Sequence, residues 1–103
     1  MIEVDFTYDF HPGMDERGYT RIAKSATRMM KSAEGFIEFR AQRNMLGSPH
    51  VRRTSVWESF AHYATLAETP EFQKLTAEFR TYVTHLDVQV WGPSPLVPHP
   101  IKP

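Results

Sequence analysis

The 103-residue sequence contains no cysteine, which excludes disulfides, thiolate catalysis and cysteine-ligated zinc or iron–sulfur sites. Its five histidines show neither HxH nor HxxxH spacing, so we expect no metal site; they are His11, His50, His62, His85 and His99. Glycine-rich phosphate loops, a dinucleotide fingerprint and a Ser-His-Asp set are also missing. The sequence therefore predicts no flavin, nicotinamide or other bound cofactor.

The sequence also lacks net charge and long hydrophobic runs. Twelve basic and twelve acidic residues give a formal net charge of zero, so we expect neither a nucleic-acid nor a membrane partner. No stretch is long and apolar enough for a transmembrane helix. The first residues carry acids where a signal peptide has a basic region. We therefore expect a soluble cytoplasmic protein.

The length of the chain is that of one domain, and its apolar residues recur with strand-like and helix-like periodicities. Residues 2–10, IEVDFTYDF, alternate with period two and predict a half-buried strand. From Asp15 to about Ala33 the apolar residues fall at helical spacing. Residues 35–44 and 50–58 predict two further strands, joined as a hairpin by the turn at 45–49.

A second helical region is capped by Ser59, runs to about Ala67 and restarts at Pro70. Helical spacing continues through Tyr82 and Val83 to Leu86, and residues 86–91 predict the last strand. The order βαββαβ is typical of the α+β ferredoxin-like fold, with both helices on one face of an antiparallel sheet. We assign residues 1–92 to this domain and residues 93–103 to an extended, proline-rich C-terminal tail.

The sheet face without helices would carry alternating charged and polar side chains. One interpretation is a solvated face; the other is a homodimer in which two sheets pack face to face and pair opposite charges. The proline-rich tail would then lie across the partner. The sequence alone leaves both interpretations open.

The chain resembles the antibiotic-biosynthesis-monooxygenase family of dimeric α/β-barrel proteins. The resemblance runs from IEVDFTYDFHPG to VQVWGP, and its most specific parts are AEGFIEFRAQRN, SVWES and LAETPEFQ. It implies the βαββαβ fold and a homodimer. Because the family includes oxygenases, isomerases and members without known activity, the function depends on the site residues.

The branches of the family differ at a few positions. In the haem-degrading branch, an Asn, a Trp and an iron-binding His stand where this sequence has Phe6, Leu66 and Thr76, which excludes haem. Leu66 also replaces the His of the quinol-monooxygenase and isomerase branches. The anthrone-oxygenating branch resembles this chain through Trp57 and Tyr63, with Arg53 at the position of an Asn.

The resemblance thus implies a cofactor-independent monooxygenase that acts on an aromatic, polyketide-like or quinol-type small molecule with O2. Catalytic candidates are Trp57 and Tyr63, which would orient the substrate, Arg53, which would stabilise its anion, and His85 as a general base. Aromatic residues on the predicted helix side are candidates for substrate binding, namely Phe6, Tyr8, Phe39, Phe79 and Tyr82. The same aromatic residues can equally form an ordinary hydrophobic core.

Two other functions remain open from the sequence. One is an isomerase or cyclase of the same fold that uses His62 or His85 to carry a proton without oxygen. The other is a non-catalytic dimeric protein that binds a small molecule. A helical wheel places His62 on the exposed side of its helix, away from Tyr63.

Overall fold

The computed structural model describes all 103 residues and contains four strands and three helices. The elements are β1 (Ile2–Phe10), α1 (Glu16–Lys31), β2 (Phe36–Arg43), β3 (Val51–Trp57), α2 (Phe60–Ala67), α3 (Pro70–Phe79) and β4 (Val83–Trp91). No helix combines the length and apolar character needed to cross a membrane.

The four strands form one antiparallel sheet in the order β2-β3-β1-β4. Central strand β1 places Val4 opposite Ser55 of β3 and Val90 of β4. Helices α1 and α3 pack on one face of this sheet, with Ile22 and Phe79 buried against it. The α+β ferredoxin-like fold predicted from the sequence is confirmed.

Short polar residues begin each helix as their sequence positions predict. The Asp15 carboxylate accepts a hydrogen bond from the backbone N–H of Arg17. Ser59 accepts one from His62, and Thr69 accepts one from Phe72. Pro70 occupies the first turn of α3, where its missing N–H leaves no helical hydrogen bond unmade.

The prediction for the start of β4 is wrong by three residues. Helix α3 ends at Phe79, a turn follows, and Val83 already pairs with Phe10 of β1. The register between β1 and β4 shifts at Thr7/Asp9, and His85 in this bulge has a φ of 55°. The bulge brings Val83 and Leu86 to the same cluster, and this three-residue spacing imitates a helix.

Two hydrophobic clusters fill the space between sheet and helices. The Tyr8 cluster consists of Tyr8, Ile22, Val51, Phe79 and Val83. The Trp57 cluster consists of Val4, Met30, Trp57 and Phe72. Since β1 contributes to both, the clusters lie side by side along its helix-facing side.

The open face of the sheet carries polar pairs that cross the strands. Arg40 of β2 donates to Glu3 of β1 at 2.6 Å and also to its neighbour Glu38. Thr54 of β3 donates to Asp5 of β1. Beyond Trp91 the chain forms no helix or strand, and the domain boundary at residue 92 stays a prediction.

Candidate functional site

A small cavity lies between the sheet and the helices, where the Tyr8 and Trp57 clusters meet. Its volume is about 50 Å³, and ten of its thirteen lining residues are hydrophobic. The lining consists of Val4, Phe6, Ile22, Ala26, Met30, Phe39, Arg53, Ser55, Tyr63, Phe72, Leu75, Thr76 and Phe79. An apolar space with a few polar groups is the usual form of a small-molecule site.

Arg53 supplies the only formal charge in this lining. Its side chain projects from β3, and one Nη atom donates to the Ala23 carbonyl at 3.2 Å and to Thr27 Oγ1 at 3.0 Å. The guanidinium also stacks over the Phe39 ring, 4.6 Å from its centroid. No carboxylate lies within 4.0 Å of Arg53, so its charge is free to stabilise a bound anion.

Tyr63 contributes a phenol whose hydroxyl makes no hydrogen bond within the chain. The residue projects from α2 and packs edge-on against Trp57, with ring centroids 5.8 Å apart. Burial raises the pKa of Tyr63 above its ordinary value, because the phenolate is less stable away from water. At neutral pH Tyr63 is therefore a hydrogen-bond donor beside the cavity.

Trp57 is completely buried and does not line the cavity. Its indole Nε1–H donates to Ser55 Oγ at 2.9 Å, and Ser55 is a lining residue. Phe36 packs against the other side of the indole, with ring centroids 5.5 Å apart. Trp57 thus positions Ser55 and Tyr63, whereas the sequence predicted a direct contact with substrate.

Three of the five predicted binding residues line the cavity, namely Phe6, Phe39 and Phe79. Tyr8 and Tyr82 do not. The Tyr8 hydroxyl is directed to the hydroxyl of Tyr19, and the pKa of Tyr8 is raised by burial and by this hydrogen bond. Tyr82 lies on the far side of the Tyr8 cluster, with its hydroxyl against Gly18.

Two polar lining residues, Ser55 and Thr76, were absent from the sequence prediction. Ser55 could have been found, since strand alternation places it between Arg53 and Trp57 on the helix side of β3. Thr76 gives no such signal. Its hydroxyl donates to the Phe72 carbonyl at 2.9 Å, as threonines inside helices commonly do.

Neither candidate histidine lies in the cavity lining. The His85 side chain is 81% exposed, and its Nδ1 lies 3.3 Å from an Asp9 oxygen at the edge of the sheet. The structure places His85 in the β-bulge, outside the cavity lining, and its role as a general base stays a prediction. His62 is half-buried, contacts Ser59 Oγ at 2.7 Å and packs over Gly35.

A second depression, here called the mouth, adjoins the cavity on its α2–α3 side. It has a volume of about 450 Å³ and opens to solvent between Ala67, Arg80 and Val88. Four residues line both spaces and separate them, namely Phe6, Tyr63, Phe72 and Thr76. Movement of these side chains would merge the cavity with the mouth.

The sequence profile of the antibiotic biosynthesis monooxygenase family matches residues 1–78. The chain belongs to this family. No curated protein matches the chain at a significant level of sequence similarity.

Solved structures with the monooxygenase-family fold include enzymes of different activity. A variant of SnoaB, a cofactor-independent oxygenase from Streptomyces nogalater, has a TM-score of 0.76 and 11% identity over 87% of this chain and 89% of its own. The hydroxynitrile lyase from Passiflora edulis has a TM-score of 0.74 and 11% identity over 87% and 90%. Identities this low establish a shared fold and leave the reaction open.

Proposed function

We propose that this protein is a cofactor-independent monooxygenase that oxidises an aromatic, polyketide-like or quinol-type small molecule with O2. The proposal rests on the apolar cavity of this protein, which belongs to the monooxygenase family. Arg53 is the only charged residue in the lining of this cavity, and it has no carboxylate partner. Apolar walls suit an aromatic ring and exclude water. The guanidinium suits the anion that such a ring forms when its hydroxyl loses a proton.

The reaction needs no external reductant. For an anthrone-type substrate, the enolate passes one electron to O2, and the two radicals then combine at the ring carbon. Overall, one oxygen atom becomes the carbonyl oxygen that replaces a CH2 group, and the other leaves as water with its two hydrogens. All electrons come from the substrate. The protein's contribution is to bind the anion, orient it with Tyr63 and Ser55, and exclude bulk solvent.

The cavity contains no group that could act as a general base at neutral pH. Its lining has no Asp, Glu or His, and the raised pKa of Tyr63 keeps its phenol protonated. The substrate must therefore bind as its anion, or lose its proton to water on binding beside Arg53. We expect kcat/KM to rise with pH up to the substrate's own pKa. Substrates of different acidity would then give profiles displaced by the difference in their pKa values.

Substrate binding must enlarge the cavity. An engineered apolar cavity of about 150 Å³ binds benzene. The cavity in this protein, with a volume of about 50 Å³, is smaller than a cavity that holds benzene. Tyr63 and Phe72 separate the cavity from the mouth, so we propose that displacement of these rings admits a polycyclic substrate.

The test is O2 uptake by the purified protein with anthrone-type and quinol-type substrates. Arg53→Gln should slow turnover on the order of 100-fold, because a donor to the developing anion is removed. Arg52→Gln is the matched control, since Arg52 is exposed on the opposite face of β3. Tyr63→Phe should lower turnover, and Tyr82→Phe should not. Absent O2 uptake with every substrate would support the non-catalytic binding protein instead.

A second candidate is a proton-transfer reaction without oxygen, as in an isomerase, cyclase or lyase. The observation that favours it is the similarity of fold to a hydroxynitrile lyase. The positions of His62 and His85 outside the cavity disfavour either as the proton carrier. Turnover under anaerobic conditions separates this candidate from the monooxygenase.

We further propose that the protein is a homodimer in which the open sheet faces pack together. Exposed apolar side chains support the proposal, namely Trp91, which pairs with Glu3 in the sheet, and Leu96, Val97 and Ile101 of the tail. Sedimentation of the full chain at micromolar concentration should give the mass of a dimer. Removal of residues 93–103 should weaken association, and a monomeric full chain would contradict the proposal. The cytoplasmic location stays a prediction.

A further inference from the structure

An open cleft lies along helix α1, outside the cavity. It has a volume of about 720 Å³, and its floor is Arg53, which reaches it from β3. Lys24, Arg28 and Lys31 line it at spacings of four and three residues, so they share one side of α1. Thr20, Thr27 and Ser32 contribute hydroxyls to the lining, and no acidic residue belongs to it.

The charges of the cleft are not neutralised within the chain. Carboxylates lie within 4.0 Å of Arg21 and Arg40, but not of any of the four cations in the cleft. The contrast with Arg21 is informative because it belongs to the same helix and pairs with Glu78 at 3.1 Å. Twelve acidic residues balance twelve basic ones in the whole chain, so this cleft is a local excess of positive charge.

Two simpler explanations account for only part of this arrangement. Arg28 and Lys31 stand in the last turn of α1, where cations stabilise the helix dipole. That reason does not extend to Lys24, in the middle of the helix, or to Arg53 on the sheet. A solvated surface would explain exposed lysines, but Arg53 is half-buried, and burying a cation without a counter-ion is unfavourable.

We propose that the cleft is a binding site for a small oxyanion, a phosphate or carboxylate group, at the Thr27–Arg53 level of α1. Arg53 places one Nη atom on Thr27 Oγ1 at 3.0 Å, which fixes the guanidinium, and Lys24 and Arg28 flank this point. A guanidinium with two ammonium or guanidinium neighbours suits a multiply charged oxyanion.

The shape of the cleft distinguishes this ligand from larger anionic partners. The cleft is concave, and only two of its nine lining residues, Tyr19 and Ala23, are hydrophobic. A helix that binds a lipid surface presents a broad apolar face beside its basic residues, which this side of α1 lacks. Arg53 lines both the cleft and the cavity, whereas Lys24, Arg28 and Lys31 line only the cleft, so substitutions of these three cations test the site apart from the proposed oxygenase reaction.

The experiment is a titration of the full chain with inorganic phosphate, at constant ionic strength set with sodium chloride, followed by ¹H–¹⁵N NMR. We expect saturable shifts in the backbone signals of residues 20–32 and in the Nε–H signal of Arg53. Lys24→Gln with Arg28→Gln should weaken binding roughly tenfold, because two of the four nearby charges are removed. Acetate and citrate, titrated in the same way, tell whether the site prefers phosphate or carboxylate.

The matched control is Arg17→Gln with Lys74→Gln, which removes the same charge from exposed residues outside the cleft. This variant should bind phosphate with unchanged affinity. The proposal is overturned by shifts that do not saturate, by shifts spread over basic residues throughout the chain, or by equal losses in the two double variants. All four substituted residues are exposed, so both variants should fold, and their spectra report directly whether they do.

Discussion

The two ends of the interior differ in how their polar groups are satisfied. In the Tyr8 cluster, the buried hydroxyl pairs with the hydroxyl of Tyr19, and the rings of Phe10 and Phe79 pack edge-on around Tyr8. In the Trp57 cluster, the indole is satisfied by Ser55, but the hydroxyl of the adjacent Tyr63 has no partner in the chain. One end is a closed core, and the other leaves a donor beside the cavity.

The difference separates structural aromatic residues from functional ones. Burial alone does not identify a site, because both Tyr8 and Trp57 are 0% exposed and neither lines the cavity. A donor with no partner in the chain, next to an apolar space, is more informative, since a bound ligand can accept its hydrogen bond. Substitutions at the two ends should therefore affect stability and activity differently.

The largest expected effect is that of Trp57→Ala. Removal of a fully buried indole leaves a cavity and should lower the free energy of unfolding by about 3–5 kcal/mol. Phe60→Ala is the control at the same end, because the Phe60 ring is largely exposed and should contribute less than about 1 kcal/mol. Urea denaturation measures both. A loss at Trp57 no greater than that at Phe60 would mean that the indole is not the centre of its cluster.

A smaller loss is expected from Gly35→Ala, next to Phe36, which packs against the Trp57 cluster. Gly35 has a φ of +84°, and an added Cβ would lie 2.2 Å from Cγ of His62. We expect destabilisation of roughly 2–4 kcal/mol, from the left-handed backbone together with the displaced imidazole. Gly13→Ala separates the two causes, because Gly13 has a φ of +71° with nothing near its Cβ position. Equal losses at the two glycines would show that the His62 contact is unimportant.

The sequence predicted the fold more completely than the site because strand alternation and helix caps are local signals. Ser59 and Thr69 cap helices through hydrogen bonds to residues three positions further along the chain, and Pro70 follows its cap directly. The β-bulge at His85 depends instead on the register of β4 against β1, which residues 80–86 do not encode by themselves. That bulge displaced both the predicted strand start and the predicted position of His85.

The site was only partly predictable from the sequence. Whether a side chain reaches the cavity depends on how the helices pack over the sheet. Alternation correctly placed Phe6, Phe39 and Arg53 on the helix side of the sheet. It placed Tyr8 and Trp57 there too, yet the packing of α1 and α2 covers them completely. Which helix-side residues face an empty volume is decided by helix placement, and no local pattern contains that information.

Tyr8→Phe and Tyr63→Phe test the comparison most directly. Loss of the Tyr8 hydroxyl removes a buried hydrogen bond and should cost about 1 kcal/mol. Loss of the Tyr63 hydroxyl removes no bond within the chain and should change stability by less than about 0.5 kcal/mol. Urea denaturation of the two variants under identical conditions gives the difference. Equal destabilisation by the two substitutions would indicate that the Tyr63 hydroxyl also has a hydrogen-bond partner within the chain.

A further effect is expected in the alkaline pH dependence of stability. The pKa of Tyr8 is raised above 10.0, mainly by burial, and that of Tyr63 is raised by burial alone. In the unfolded chain each phenol loses its proton near pH 10.0, whereas in the folded chain it keeps it. Unfolding then releases protons, so the free energy of unfolding is unaffected below this pH and falls as the pH rises beyond it.

Because the rise at Tyr8 has a second cause, its hydrogen bond to Tyr19, Tyr8→Phe should flatten this alkaline decline more than Tyr63→Phe does. Urea midpoints measured on both sides of pH 10.0 provide the test. Titration of tyrosinate absorbance in the folded protein supplies the control, since each variant should lose one late-ionising phenol relative to the wild type. A larger flattening of the alkaline decline in stability by Tyr63→Phe would mean that Tyr63 is the less accessible phenol. The Trp57 cluster would then be the closed end of the interior and the Tyr8 cluster the open one.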